Sequence, residues 1–422
     1  MNADSKDIMK VIDIRPDANG MINWPTLSAE RKAVVTIGVF DGMHKGHREV
    51  IRRTVDLAHR HGAFSVVIMF DPRPSVVHAN PDLYDDFGDV NSKLPDDPDA
   101  LTSVRQRLRV MSQLDVDHVV IVRYSLAFAA KSYRFFLGQL VGKLGMRALV
   151  LGSDAALGAR RAGDIKAIRE LSQATGVFEL IEVEDLGPDD VRVPDPIVRE
   201  VPQEPGDPKD PSEGMNKAEY RAWSKSMPNK KVRAWSSTNV RWMLATGRVK
   251  EAREILDQPH RVEGTVVHGD ERGREIGFPT VNLGEKIEGY VPVDGVYAGW
   301  VVDLDADNKN DVRPSKNAVP DVSVLRRDEL HLGVHSPWRW PAAISIGTKP
   351  TFNKDGEEDA ERTVEAYGLF DDWKDLYGHR VCIEFASFLR PQQAFDSVDA
   401  LKDMLKANVE QVREITDAEA EV

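Results

Sequence analysis

Cysteine is almost missing from the sequence. Cys382 is the single one in 422 residues, which excludes an intrachain disulfide and a thiolate-rich zinc site. Long hydrophobic runs are missing too: no apolar stretch approaches the about 20 residues needed to span a bilayer. The opening residues, MNADSKDIMKVIDIRPD, are of mixed charge and lack the apolar centre of a signal peptide. Positive charge is in deficit, with 56 Lys and Arg against 69 Asp and Glu and a formal net charge of −13. A nucleic-acid-coating surface is therefore not expected, and any phosphate must be handled by local groups. These absences predict a cytoplasmic chain with neither nucleic acid nor membrane as partner. An oligomer stays open, with nothing in the sequence to support it.

Apolar residues make up 41% of the chain, enough for more than one core. In the first half, strand-like and helix-like stretches alternate. AVVTIGVF (33–40), FSVVIMF (64–70), HVVIV (118–122) and RALVLG (147–152) read as strands covered on both faces. Helical patterns follow them at about 46–61 and in SVRQRLRVMSQL, YRFFLGQLVGKL and GDIKAIRELSQAT. The alternation predicts an α/β domain with a parallel, Rossmann-like sheet that binds ligands beyond the carboxyl ends of its strands. A stretch rich in Pro, Asp and Glu, about 187–231, reads as a flexible acidic insert. SSTNVRWMLATGRVKEAREIL restores helical spacing. After Pro259 the texture changes to short β-like runs: RVEGTVVHG, GVYAGWVVDL, AAISIG, RTVEAYGLF and RVCIEFASFL. They predict a small antiparallel β-barrel with a loop insert at about 305–340. A closing amphipathic helix shows a stripe of Val398, Leu401, Leu405, Val409, Val412 and Ile415. The expected divisions are a lead-in over 1–32, an α/β domain over 33–258 and a barrel domain over 259–422.

In VVTIGVFDGMHKGHREVI (34–51), His44 and His47 stand at i and i+3 where a buried strand turns into a helix. A helix start attracts anions, and two imidazoles there could hydrogen-bond a phosphate and stabilise charge in a transition state. Gly46 would let the phosphate approach the backbone, and Gly42 permits the sharp turn. A metal could instead use Asp41, His44 and His47, although no second ligand cluster lies nearby in sequence. Packing alone must explain two polar rings and two glycines at a strand end. In SSTNVR (236–241), Ser237 and Thr238 sit at a helix start with Arg241 one turn on, a set suited to a polyphosphate. Read alone, it could be a helix cap followed by a surface arginine. Together the two motifs resemble the nucleotidyltransferase superfamily, whose members attack an ATP α-phosphate and expel pyrophosphate. That resemblance makes the histidines phosphate and transition-state ligands rather than zinc ligands, and it places Gly38, Phe40 and Gly46 at the ATP site.

GTVVHGDERGREIGFPTVNL (264–283) lacks the Gly-Lys-Ser/Thr end of a P-loop. Thr280 and Asn282 project from one face of a strand, and a hydroxyl beside an amide carbonyl makes a partial shell for Mg²⁺. A polar face on an edge strand would look the same. Glu365, in TVEAY, could accept a proton from an attacking hydroxyl, or could be solvated surface. The motifs GREIGFPTVNL, DGVYAGW, AAISIGTKPTF, VEAY, DLYGHRVCIEFASFLR and FDSVDAL occur in the order expected of riboflavin kinase. Preceded by GVFDGMHKGH and SSTNVR, they make the chain resemble the bifunctional prokaryotic riboflavin kinase/FMN adenylyltransferase (FAD synthetase) family. The resemblance implies phosphorylation of riboflavin to FMN by ATP and Mg²⁺, then adenylyl transfer to FMN giving FAD and pyrophosphate, without zinc. It implies that Thr280 and Asn282 bind Mg²⁺ and ATP phosphates, that Glu365 is the general base, and that Gly273 and Gly277 shape the ATP loop. It places Arg390 and Asp154 at flavin sites, and gives the nucleotide's phosphates in adenylyl transfer to Ser237, Thr238 and Arg241.

The chain departs from that pattern at three positions. Arg73, in FDPRP, replaces the histidine of F-D-P-H-P. Ala155 and Leu157, in GSDAALG, replace two aromatics beside the retained Asp154. Losing a ring stack costs about 0.5–1.5 kcal/mol per pair. Trp223 and Tyr220 of the acidic insert are the expected substitutes. The alternative function is an active kinase joined to a degenerate, non-catalytic adenylyltransferase domain.

Overall fold

The computed structural model describes residues 8–84, 97–185, 187–269, 280–284, 286–306, 320–352, 358–372 and 374–420. Contacts divide the chain into two compact units. One holds Met1–Asp97, Val104–Gly187 and a short segment ending at Arg326; the other holds Pro98–Ser103, Pro188–Arg313 and Arg327–Val422.

The first unit is built on six parallel strands: β1 (Lys10–Ile14), β2 (Ala33–Gly38), β3 (Phe64–Asp71), β4 (His118–Arg123), β5 (Met146–Gly152) and β8 (Glu179–Val183). Their order is β1-β4-β3-β2-β5-β8, with a two-stranded pair, β6 (Ala156–Leu157) and β7 (Gly163–Asp164), beyond β5 in the chain. Alternation within the central strands supplies both faces. Val66, Ile68 and Phe70 join Val120 and Val122 in one core, while Val67 and Met69 join Val119 and Ile121 in another. Helix α1 (Lys45–Arg60) adds Ile51 and Val55 to the second core, with Leu108 and Met111 from α2 (Val104–Gln113). Helix α3 (Ile165–Thr175) contributes Ile168 to the first. The α/β reading holds, and two edge strands extend it. Both β1 and β8 are five-residue, half-exposed strands without a continuous apolar run.

The second unit contains a closed antiparallel barrel of order β11-β12-β15-β14-β13-β16. Its strands are β11 (His260–Val267), β12 (Val281–Leu283), β13 (Gly295–Asp303), β14 (Arg339–Phe352), β15 (Glu358–Gly368) and β16 (Arg380–Arg390). The stretch read as a flexible acidic insert contains regular structure. It pairs β9 (Val191–Pro194) with β10 (Asn229–Val232) and carries helix α4 (Lys217–Ser226), started by a capping box between Asn216 and Glu219. Two of its acidic residues hold distant parts of the same unit. Asp207 accepts hydrogen bonds from Ser387 Oγ and Phe388 N of β16, both 2.9 Å, and Asp210 accepts one from the enclosed Arg248 at 2.7 Å.

The single helical stretch expected after the insert is two helices, α5 (Ser237–Ala245) and α6 (Val249–Leu256). Gly247, at φ +77°, turns the chain between them. Both pack on the barrel core through Val240, Leu244, Val249 and Ile255. The insert at 305–340 includes a helix, Val322–His331. The closing helix α7 (Val398–Ala420) buries Val412 fully, but Val398, its first residue, is 56% exposed. Asn408 and Thr416 are buried in the stripe instead. Among the described residues no helix is long and apolar enough to cross a membrane.

Candidate active sites

In the first unit the histidine pair stands at the carboxyl edge of the sheet. The β2–α1 turn is tight: Gly42 has φ +85°, and Phe40 and Met43 also take positive φ. Backbone strain of this kind persists only where the surroundings enforce it; here Phe40 and Met43 are locked into the core. The result is two imidazoles stacked at 3.7 Å between centroids, with Phe40 edge-on to His47 at 5.4 Å. A Cβ on Gly38 would meet the Phe40 ring at 2.9 Å, so glycine there makes room for it. Gly46 lies in the first turn of α1. That turn has no acidic residue, and the His44 side chain makes no capping hydrogen bond, so the positive end of the helix dipole meets no carboxylate of its own turn. Burial, with the Arg107 guanidinium, pushes the His47 pKa down to about 3. Its Nδ1 has no hydrogen-bond partner among the described residues. His47 is therefore a neutral ring that can give or accept one hydrogen bond.

Around the pair lies an ionic frame that the sequence does not reveal. Arg107 donates to Val39 O (2.9 Å) and Asp71 Oδ1 (3.1 Å), tying the ends of β2 and β3. Arg123 donates to Asp71 Oδ2 and to Asp13 Oδ2, both 2.6 Å, tying β4 to β3 and β1. Arg73 stands just past β3. Its Nε and Nη2 both donate to Asp97 at 2.5 Å, and its Nη1 lies 3.9 Å from Asp41 of the β2–α1 turn.

Asp154 lines a cavity of about 380 Å³ with Ser153, Ala155, Arg161 and Lys166. Leu157 lies instead in the core with Tyr133 and Phe136. Aromatic faces are present elsewhere in this unit: Tyr124, directly after β4, is half-buried 5.4 Å from Phe70 and 6.0 Å from Phe128. Trp223 and Tyr220 belong to the second unit, where Trp223 packs 6.3 Å from Trp242.

Ser237, Thr238 and Arg241 also belong to the second unit, in a helix that shares the barrel's core. Ser236 caps that helix by accepting from Asn239 N at 3.2 Å, and Arg241 Nε donates to Asp99 O at 2.7 Å.

On the barrel, strand register assembles the other set. Asn282 of β12 lies opposite Glu365 of β15, and Glu365 opposite Ser345 of β14. Directly paired residues share a face, with Cβ atoms about 4.5–5.5 Å apart. Their neighbours Val281, Leu283, Val364, Ala366, Ile344 and Ile346 fill the interior, so the polar row faces outward. Asn282 Nδ2 donates to Thr280 O (3.2 Å) and Thr280 Oγ1 (3.1 Å), which directs its Oδ1 away as an acceptor. Gly269 runs so close that a Cβ there would lie 2.6 Å from the Asn282 amide. Gln392 Nε2 donates to Ser345 Oγ (2.8 Å) and Ile346 O (3.1 Å), holding the chain after β16 beside the row. Arg390 is largely enclosed, with Nε donating to Asn408 Oδ1 of α7 at 3.3 Å. Gly273 and Gly277 lie outside the described residues. Gly269, Ser345 and Gln392 are not legible beside this row in the sequence, because strand register places Ser345 there and the approach of distant chain segments brings the other two.

Residues 26–196 match the family model described as FAD synthetase, and residues 256–416 match that described as riboflavin kinase. Two curated relatives, from Listeria monocytogenes and Escherichia coli, are both called bifunctional riboflavin kinase/FMN adenylyltransferase. The first is 26% identical over 380 residues, covering 90% of this chain and 91% of the relative. The second is 28% identical over 370 residues, covering 87% and 88%. A crystal structure titled macrolide-efflux protein, from Streptococcus pneumoniae, aligns with a TM-score of 0.62 at 24% identity, over 95% of this chain and 99% of that one; this likeness shows the fold alone.

Proposed function

The chain belongs to the bifunctional riboflavin kinase/FMN adenylyltransferase family, and from that premise we propose how its residues divide the two reactions. The enzyme phosphorylates riboflavin to FMN with ATP, then transfers an adenylyl group from ATP to FMN, giving FAD and pyrophosphate. We draw the functional boundary near Pro259 and place the reactions in the cytoplasm, where ATP is made.

The barrel row carries the kinase. Glu365 accepts the proton of the riboflavin 5′-hydroxyl as its oxygen attacks the γ-phosphorus of ATP, and ADP leaves. Thr280 Oγ1 and Asn282 Oδ1 are hard oxygen donors of the kind Mg²⁺ takes. Bound there, Mg²⁺ would neutralise charge on the transferring phosphoryl group. Arg390 borders the flavin, and the enclosed contact with Asn408 fixes its direction.

Adenylyl transfer needs no strong base, because the FMN phosphate is already an anion near neutral pH. An oxygen of that phosphate attacks the α-phosphorus, the bond to the bridging oxygen breaks, and pyrophosphate departs. His44, the neutral His47 and the α1 start stabilise the charge that shifts onto the phosphates. Gly38, Phe40 and Gly46 shape that end of the ATP site, and Ser237, Thr238 and Arg241 bind the nucleotide's phosphates. Asp154 and its cavity receive the flavin side, with Tyr124 and Phe128 as the ring faces that Ala155 and Leu157 do not offer. The observation carrying this assignment is the stacked histidine pair at a helix start without a carboxylate in its first turn. No observation favours a degenerate first domain.

Chromatography of riboflavin, ATP and Mg²⁺ with the enzyme, repeated from FMN, tests both halves. FMN and FAD from the first mixture and FAD from the second are expected. A saturated FMN reaction without FAD would refute the adenylyl-transfer assignment.

A further inference from the structure

Arg73 and Asp97 form a pair that the chemistry above does not use. The guanidinium points two donors at the two oxygens of one carboxylate, each at 2.5 Å, and both side chains are mostly covered, at 12% and 16% exposure. The third nitrogen lies 3.9 Å from Asp41 Oδ2. Asp41 belongs to the turn that ends in His44, so the pair stands beside the start of α1 and not on a remote surface. The Arg73 guanidinium therefore faces carboxylates beside a turn assigned to polyphosphate chemistry. The fork of an arginine fits a carboxylate and a phosphate by the same two parallel hydrogen bonds.

We propose that Asp97 is an internal stand-in for a substrate phosphate: it occupies the Arg73 fork until a phosphate of the incoming substrate displaces it. Arg73 is then a phosphate-binding residue, and Asp97 a positioning residue that keeps the fork directed and charge-balanced in the free enzyme. The ligand chemistry is a phosphate group, carried either by ATP or by FMN. Exchange of one anion for another also gives the displaced carboxylate back to solvent. The proposal rests on adenylyl transfer occurring in the first unit.

The dependence of one mutation on the other separates this role from a structural ion pair. Removing a competitor strengthens phosphate binding only while Arg73 keeps its fork, whereas the mere loss of a nearby negative charge strengthens it with or without the fork. FAD synthesis from FMN is measured for the wild type, Asp97→Asn, Arg73→Lys and the double variant, with KM for ATP and for FMN determined separately. Asp97→Asn should lower one of the two KM values by about threefold to tenfold, tenfold being about 1.4 kcal/mol, with kcat nearly unchanged. The substrate affected identifies which phosphate takes the fork. Arg73→Lys, which keeps the charge but loses the fork, should raise the same KM, and in the double variant the gain from Asp97→Asn should vanish. Unchanged or raised KM values for both substrates in Asp97→Asn would overturn the proposal. Riboflavin phosphorylation by the same preparations reports on the rest of the chain. Should Asp97→Asn fail to fold, Arg73→Lys decides: both KM values unchanged would overturn the proposal, and one raised at constant kcat would support it. A wild type that makes no FAD would sink the adenylyl-transfer assignment instead.

Discussion

His47 stays neutral far below the pH at which free histidine takes up a proton, and this decides both how it can act and what it costs. A neutral imidazole offers a phosphate a hydrogen bond but no full charge, so the first unit must draw its cationic help from arginines and the helix start. The same burial links stability to pH. The folded pKa, about 3, lies below the unfolded value of 6.5, so between them the unfolded chain binds a proton that the folded chain refuses. His47 therefore lets the fold keep its full stability above about pH 6.5 and withdraws it progressively as pH falls toward 3. Replacing it by the neutral Gln should flatten the pH dependence of the unfolding free energy by close to one proton across that window, as read from denaturant titrations at several pH values. An unaltered slope would mean that the ring is protonated in the folded protein. The residue types of this site were legible in GVFDGMHKGH; their ionic setting was not. Asp97 follows Arg73 by 24 positions and Asp13 precedes Arg123 by 110, and no local pattern announces such pairs.

Among elements, legibility followed the strength of the repeating pattern. The continuous apolar runs of β2 to β5 were readable because both faces are buried, while β1 and β8 escaped because edge strands need no such run. The acidic stretch reads as flexible from composition, yet its carboxylates cap a helix and accept hydrogen bonds from Ser387, Phe388 and Arg248. On the barrel, pairing β12 with β15 and β15 with β14 turns three scattered polar residues into a row. Gly269 lies under that row, and the atoms its Cβ would strike belong to a side chain and not to backbone. Gly269→Ala should consequently leave the barrel folded but displace the Asn282 amide. The expected result is a fall in riboflavin kinase kcat/KM of about tenfold to a hundredfold, a cost on the order of 1.4–2.7 kcal/mol, with an unchanged melting temperature. FAD formation from supplied FMN should be spared. A kinase of normal activity in this variant would show that Asn282 does not need its present position.

For the molecule as a whole, the order of motifs was enough to name two activities, because several independent signatures agree along most of the chain. What the order could not show is that α5, carrying Ser237, Thr238 and Arg241, shares the core of the barrel. A chain whose compact units do not follow the functional boundary proposed above raises a direct question: whether each reaction needs the other to be competent in the same molecule. His44→Ala removes a group assigned to adenylyl transfer alone, and Glu365→Gln one assigned to the kinase alone. The first variant should convert riboflavin to FMN and stop there. The second should make FAD from FMN but nothing from riboflavin. Mixed together with riboflavin, ATP and Mg²⁺, they should produce FAD after a lag in which free FMN accumulates, because FMN released by one chain diffuses to the other. The lag should shorten as the Glu365→Gln enzyme is raised, since that enzyme consumes the intermediate. If the wild-type enzyme instead converts riboflavin to FAD with no lag and no free FMN, while the mixture shows both, then FMN passes within one chain, and the two reactions are coupled more tightly than separate sites require.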